Sequence, residues 1–254
     1  MRENKGICYL CGNYYSKRRM TRHLMKCTRR LKGDLEVFHL YIRDKYSPIY
    51  WLHIEIPVDS TLEDLDQFIR DIWVECCNHA SEFIIGGVHY LASELLGVGP
   101  PPPTLEMLLE IIKDTDPKVL EILKGLNLKP FKEVDMKSAV LRDVLRVGMS
   151  FDYIYDFGTS TELKLKVISR RKTKPFTGVR LLARNKPPEF HCSICGREAT
   201  WVCPLCLEQG REVYLCDVCI GKHEHDEEIL LPIVNSPRMG VCGYMGSEKY
   251  SNTI

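Results

Sequence analysis

Residues 38–73 read FHLYIRDKYSPIYWLHIEIPVDSTLEDLDQFIRDIW, and three local patterns follow one another there. FHLYI (38–42) and IYWLHIEI (49–56) are rich in β-branched and aromatic residues, which predicts two strands joined through the turn-rich Asp44–Pro48. In the second strand either Ile49 and Trp51 or the alternating set Tyr50, Leu52, Ile54 and Ile56 faces a core, and Pro57 ends it. Ser60 or Thr61 then caps a helix with acids in its first turn. Leu62, Leu65, Phe68, Ile69, Ile72 and Trp73 recur at helical spacing, so this helix packs an apolar face on the sheet. Cys76 and Cys77 close the helix. A vicinal pair is no metal knuckle, and both are expected in or near the core, with His79 unassigned.

Outward from that stretch the same style continues. EFIIGGVHYL (82–91) predicts a hairpin, with Gly86-Gly87 supplying a turn that needs positive φ. Pro100–Pro103 predicts a stiff spacer, with two short helices at about 104–113 and 117–124 as an insertion over the sheet, spanning about 97–135. Val140, Leu141, Val144 and Leu145 space as a helix within 137–147. SFDYIYDFG (150–158) and ELKLKVISR (162–170) predict two more strands, linked closely enough to run antiparallel.

FDYIYDFG and TLEDLDQFI, in the order strand–strand–helix–hairpin–helix–strand–strand, resemble the plasmid pRiA4b open-reading-frame-three-like family. The resemblance covers about residues 38–170. It implies an α+β fold, a curved and mainly antiparallel sheet with helices packed on one side, and brings no settled activity. Members of the family usually continue with an acid and a Trp-x-His stretch after the glycine, where this chain has Thr159, Ser160, Thr161 and Glu162.

Twelve cysteines punctuate the rest. From His191 to Asp226 the chain reads HCSICGREATWVCPLCLEQGREVYLCDVCIGKHEHD, three Cys-x2-Cys pairs followed by His223 and His225. Two thiolates so spaced reach one ion about 2.3 Å from each sulfur. The spacing predicts Zn2+ held by Cys192, Cys195, Cys216 and Cys219, and a second ion on Cys203, Cys206, His223 and His225. Sequential pairing, with Cys192, Cys195, Cys203 and Cys206 together, is the alternative. Cys242 is spare: a replacement for one of the two histidines, or a free thiol. Trp201, Val202, Leu205, Val213 and Tyr214 would supply a small core. The segment looks like cross-brace fingers of the HIT and B-box type, which bind other proteins.

Near the start, Cys8-x2-Cys11-x11-His23-x3-Cys27 predicts a third zinc ion. His23 and Cys27 share a helix face, and Ser16 is placed to cap that helix. The segment resembles a ββα finger, with Tyr15 and Met20 at its core positions. The expected division is a single zinc finger (1–32), an α+β body (33–170), a basic linker (171–188) and a two-zinc cross-brace module with a tail (189–254).

Net charge is +1, unevenly spread. Residues 1–32 carry +9 and residues 170–188 carry +7, leaving −15 elsewhere. Two basic segments on an acidic body favour a polyanionic partner. Lys17, Arg18, Arg19 and Arg22 of the finger, with Arg170, Arg171, Lys172 and Lys174, are the candidate nucleic-acid contacts. They would bind phosphates and not read bases. The opposing view is a finger that docks on its own protein.

No run of 18 apolar residues and no apolar signal core occur, so a membrane span is not expected and a cytoplasmic protein with reduced cysteines is. No Ser-His-Asp order, glycine-rich phosphate loop or His-Glu-x2-His is present. Asp152 and Asp156, four apart on one strand, are the one candidate catalytic pair, against the simpler expectation that they pair with Lys164 or Lys166 across the hairpin. His39, His53 and His89 are expected at the edge of the core. The expected function is a non-catalytic zinc-binding adaptor that docks proteins and contacts nucleic acid or a ribonucleoprotein. The alternatives are a nucleic-acid-binding regulator linked to mobile elements, and an enzyme using Asp152 and Asp156.

Overall fold

The computed structural model describes residues 4–96 and 132–250. The insertion expected at about 97–135 lies outside them except for its last residues, which form a strand.

The two first-read strands are β3 (Leu35–Asp44) and β4 (Trp51–Pro57), antiparallel with Leu40 opposite Ile54. The helix α2 (Leu62–Ile69) follows, and a wider π turn, Arg70–Val74, prolongs it. Thr61 caps it reciprocally: its hydroxyl accepts from the Asp64 N–H, and the Asp64 carboxylate accepts from the Thr61 N–H. Such a box contributes about 1 kcal/mol.

Strands β5 (Ser81–Ile85) and β6 (Val88–Leu91) form the hairpin, with Gly86 and Gly87 at φ +59° and +81°. β7 (Lys132–Asp135) pairs parallel to β6. The helix expected within 137–147 is only one turn, α3 (Leu141–Val144), after a 3-10 turn at Met136–Ser138. β8 (Ser150–Tyr155) and β9 (Thr161–Thr173) complete the body. Phe38, Leu40, Leu52, Ile54, Phe83, Tyr153 and Leu165 pack from this sheet against Leu65, Phe68, Ile69, Ile72 and Trp73. Each large apolar side chain so buried contributes about 1.5–3 kcal/mol.

Two expectations about domains are corrected here. Residues 171–188 are no linker. β9 runs on to Thr173, and β10 (Arg180–Asn185) lies inside the sheet, paired with β4. Its charges concealed it: Glu55 of β4, fully buried, is paired with both Arg171 and Arg180. The finger is no separate unit either. Its strands β1 (Lys5–Cys8) and β2 (Tyr14–Ser16) extend the same sheet, β1 pairing with β10.

Among the described residues the sheet has ten strands, in the order β2-β1-β10-β4-β3-β9-β8-β5-β6-β7. β4 is therefore covered on both faces. Tyr50, Leu52, Ile54 and Ile56 meet the α2 side, while Trp51 faces the finger helix α1 (Lys17–Cys27), where Met20 and Leu24 are wholly buried. Ser16 precedes that helix without a side-chain capping bond.

A second, three-stranded sheet, β12-β11-β13, belongs to the C-terminal module: β11 (Trp201–Val202), β12 (Tyr214–Leu215) and β13 (Leu231–Pro232). Helix α4 (Pro204–Glu208) lies between β11 and β12. Residues after β13 return to the body. Ser236 Oγ donates to the Trp73 carbonyl at 2.5 Å, and Arg238, fully buried, reaches Asp156 at 2.6 Å. No helix among the described residues is long and apolar enough to cross a membrane.

Candidate metal centres and basic face

Cys8 ends β1, and the chain turns at once. The Gly12 N–H donates to the Cys8 carbonyl at 2.8 Å, and Gly12 takes φ +72°. That knuckle presents Cys8 and Cys11 toward α1, from which His23 and Cys27 project. All four donor atoms lie within 4.8 Å of one another, with Cys11 Sγ 3.4 Å from His23 Nε2. The edge of a tetrahedron around zinc is about 3.5–3.8 Å for these bond lengths. Tyr15 stacks on the His23 ring at 3.8 Å between centroids and fixes its plane.

In the C-terminal module the four-residue sets interleave. Cys192, Cys195, Cys216 and Cys219 converge in one group, and Cys203, Cys206, His223 and His225 in the other. Cys195 Sγ lies 3.6 Å from Cys216 Sγ. Cys203 Sγ lies 3.3 Å from His225 Nδ1, and Cys206 Sγ 3.5 Å from His223 Nε2. The cause is the small sheet. Pairing of Trp201 with Leu215 sets the second and third Cys pairs on opposite sides of β11 and β12, so the first pair meets the third and the second meets the histidines. Pro204 starts α4, where its missing N–H costs nothing, and the helix carries Cys206 back toward Cys203.

Burial pushes the Cys8 and Cys219 thiols up to about 12, whereas the Arg197 guanidinium beside Cys195 pulls that thiol down to about 6. A cation in each group favours the thiolates that burial opposes. Leu215 and Leu230 with the buried cysteines form the module's core, with Trp201 and Val213 half-buried against it. Leu205, expected there, is 39% exposed, because α4 turns it outward.

The basic residues divide. Arg18, Arg19 and Arg22 are exposed on α1, and Lys172 and Lys174 are exposed along the end of β9 and beyond. Lys17 instead donates to the Pro48 carbonyl at 3.0 Å. Arg170 forms a two-pronged pair with Glu36 at 2.8 and 2.9 Å, and Arg171 is held by Glu55. Those three, expected as nucleic-acid contacts, make contacts within the protein. A cleft of about 430 Å³ separates the end of α1 from β9, and Arg29, Lys32, Arg171 and Lys172 line it with His39 at its floor. Sequence reasoning did not single out Arg29 and Lys32. Only the docking of the finger brings them beside β9.

Asp152 and Asp156 do not act together. Asp152 is clasped by Lys164 at 2.8 and 2.9 Å. Asp156 lies past the end of β8 at φ +66°, where the strand alternation stops, and its carboxylate accepts from Gly158 N–H and binds Arg238.

Cys242 joins neither zinc group of the module, because the segment after β13 leaves it for the body. Its thiol gathers with Cys76, Cys77 and His79. Cys77, expected near the core, is exposed. A separation of more than 160 residues left no spacing signal to read.

No family model matches the chain, and no curated protein does. Among solved structures, a protein of unknown function from Methanosarcina mazei Go1 is similar at 19% identity and a TM-score of 0.39. The alignment covers 57% of this chain and 66% of that one, just under two thirds of its length.

Proposed function

We propose that this chain is a non-catalytic adaptor, folded around three structural Zn2+ ions, that holds a nucleic acid on its finger side. The observation that carries this reading is the cleft between α1 and β9. Arg29 and Lys32 from the first basic segment and Lys172 from the second line one concavity, and Arg18, Arg19 and Arg22 stand exposed on the adjoining helix. Neutralising phosphates releases counterions, so such a face binds a polyanion in a salt-dependent and sequence-independent way. It suits an RNA or a ribonucleoprotein as well as duplex DNA. The carboxylate pairing around Asp152 and Asp156 gives an enzyme no support.

The C-terminal module supports the protein-docking half of the adaptor. Ile194 and Val218 on the cysteine knuckles and Leu205 on α4 are exposed by 48%, 64% and 39%. Apolar side chains held outward by a rigid metal scaffold are what a protein partner would cover. A cytoplasmic setting, where twelve cysteines stay reduced, and membership of the pRiA4b open-reading-frame-three-like family for the body belong to the same proposal.

The test is binding of the zinc-loaded protein to mixed RNA and duplex DNA across a salt series. Affinity should fall steeply with salt. Substitution of Arg18, Arg19 and Arg22 by Ala, or of Arg29, Lys32 and Lys172 by Ala, should weaken binding at least about tenfold and flatten the salt slope. No binding at low salt would leave the protein-docking half alone.

A further inference from the structure

Three zinc groups were legible from spacing. We propose a fourth metal site, formed by Cys76, Cys77, His79 and Cys242, which takes Zn2+ and fastens the segment after the cross-brace module to the body.

The donor atoms of these four residues lie within 4.8 Å of one another, the same closeness that the other three groups show. His79 Nε2 lies 3.2 Å from Cys242 Sγ, near the length of a tetrahedral edge around zinc, about 3.5 Å. Three thiolates and one imidazole are a structural zinc set. Hard cations such as Ca2+ and Mg2+ prefer oxygen and have little to gain here.

Both halves of the site are held by the rest of the molecule. Arg70 pins the loop after the π turn: it donates to Glu75 at 2.7 Å and to the His79 carbonyl at 2.8 Å. The Glu75 carboxylate in turn accepts from the Asn78 N–H and from Tyr155 Oη. On the other side, Arg238 is buried against Asp156, Tyr244 is 1% exposed, and Ser247 Oγ donates to the Asp71 carbonyl at 2.5 Å. Cys242 is thus presented between two anchored points.

The backbone marks the same place. Among the described residues, the non-glycine residues with positive φ are Asn78 (+54°), Asp156 (+66°) and Cys242 (+51°). Two belong to the cluster's own segments, and Asp156 lies 3.8 Å from His79 Nε2. A left-handed residue other than glycine costs about 1 kcal/mol or more and persists where its surroundings dictate it. Here the result is that Cys76, Cys77 and His79, near neighbours in sequence, face one point together with Cys242.

This site is more open than the other three. Two of its cysteines, Cys77 and Cys242, are exposed, whereas the finger group and the Cys203 group have none exposed and the Cys192 group has one, Cys195. Its ion is therefore the first to exchange with a chelator.

The experiment uses the full chain, reduced, saturated with Zn2+ and desalted, with zinc per chain measured by elemental analysis. Cys77→Ser and Cys242→Ser should each hold one zinc ion fewer than wild type. The double variant should also lack one and not two, since both residues serve one ion. Circular dichroism should be unchanged, and amides of residues 236–250 should exchange faster in the variants. Equal zinc in wild type and Cys242→Ser would overturn the proposal. So would a Cys77–Cys242 disulfide in oxidised wild type with no loss of zinc, which would make the pair a redox couple instead. Neither result depends on whether the basic face binds nucleic acid.

Discussion

His39 and His53 illustrate what a single position can hide. Each sits in a strand with apolar neighbours, and each is almost fully buried, His39 Nε2 lying 3.0 Å from His53 Nδ1 beneath the finger helix. Burial holds the His39 imidazole down to about 4, and holds His53 well below its ordinary range. Both are neutral in the fold, while the unfolded chain takes up a proton at each below about pH 6.5. Their contribution is complete above that pH and is lost as pH falls toward about 4. For His39 the loss is on the order of 3 kcal/mol. Acid also loosens thiolate-bound zinc, equally in wild type and variant, so the difference between them isolates the imidazole. In urea unfolding, the stability of wild type relative to His39→Gln should shrink by on the order of 3 kcal/mol between about pH 7 and about pH 4.5. A difference that does not move with pH would mean the fold accommodates the imidazolium. The sequence placed these histidines in strands correctly. Their burial was not legible, because the cover is supplied by a finger read as a separate unit.

At the scale of elements, the finger is the most instructive. Its ligand spacing was fully readable, and so was the helix that carries His23 and Cys27. Its docking was not, since the partner strand β10 was disguised by Arg180 and Arg184 and by the prolines after it. Alternating burial does not need alternating hydrophobicity when the buried cations have acids waiting. Glu55 does this for Arg180 and Arg171. Gly6 marks how tightly β1 seats: a Cβ there would run into the Arg184 carbonyl and the Trp51 ring. Gly6→Ala should therefore lower the melting temperature by several degrees, the effect of about 1–3 kcal/mol of overpacking in a chain this size. It should also raise amide exchange in β1 and β10 while leaving zinc content unchanged. An unaltered melting temperature would show that β1 is only loosely held. By contrast β3, β4, α2 and the β5–β6 hairpin follow directly from periodicity and turn chemistry. Most of their packing is apolar contact, which leaves its pattern in the sequence.

For the whole molecule, the zinc reading proposed above means that metal and apolar burial hold different parts. The body buries a large apolar core, whereas the core of the cross-brace module is its cysteines with Leu215 and Leu230, and a few half-buried side chains such as Trp201 and Val213. Binding of a structural zinc ion is worth about 10–16 kcal/mol in small domains that fold only with it. Removing zinc with a strong chelator should abolish amide protection across residues 192–231 and leave β3, β8 and β9 protected. Simultaneous loss throughout would mean that the module and body unfold as one.

The pairing of Cys8 with Ala183 across β1 and β10 also sets a clock. The finger leaves the ribosome before β10, and the strand that receives it is made some 175 residues later. At about 5–20 residues per second, that is a wait of roughly 10–35 s. For that interval the nascent finger lacks the cover that the sheet gives Met20 and Leu24. On the zinc reading proposed above, zinc supply during translation would bear on how much of the newborn chain reaches its native sheet before it meets another copy of itself.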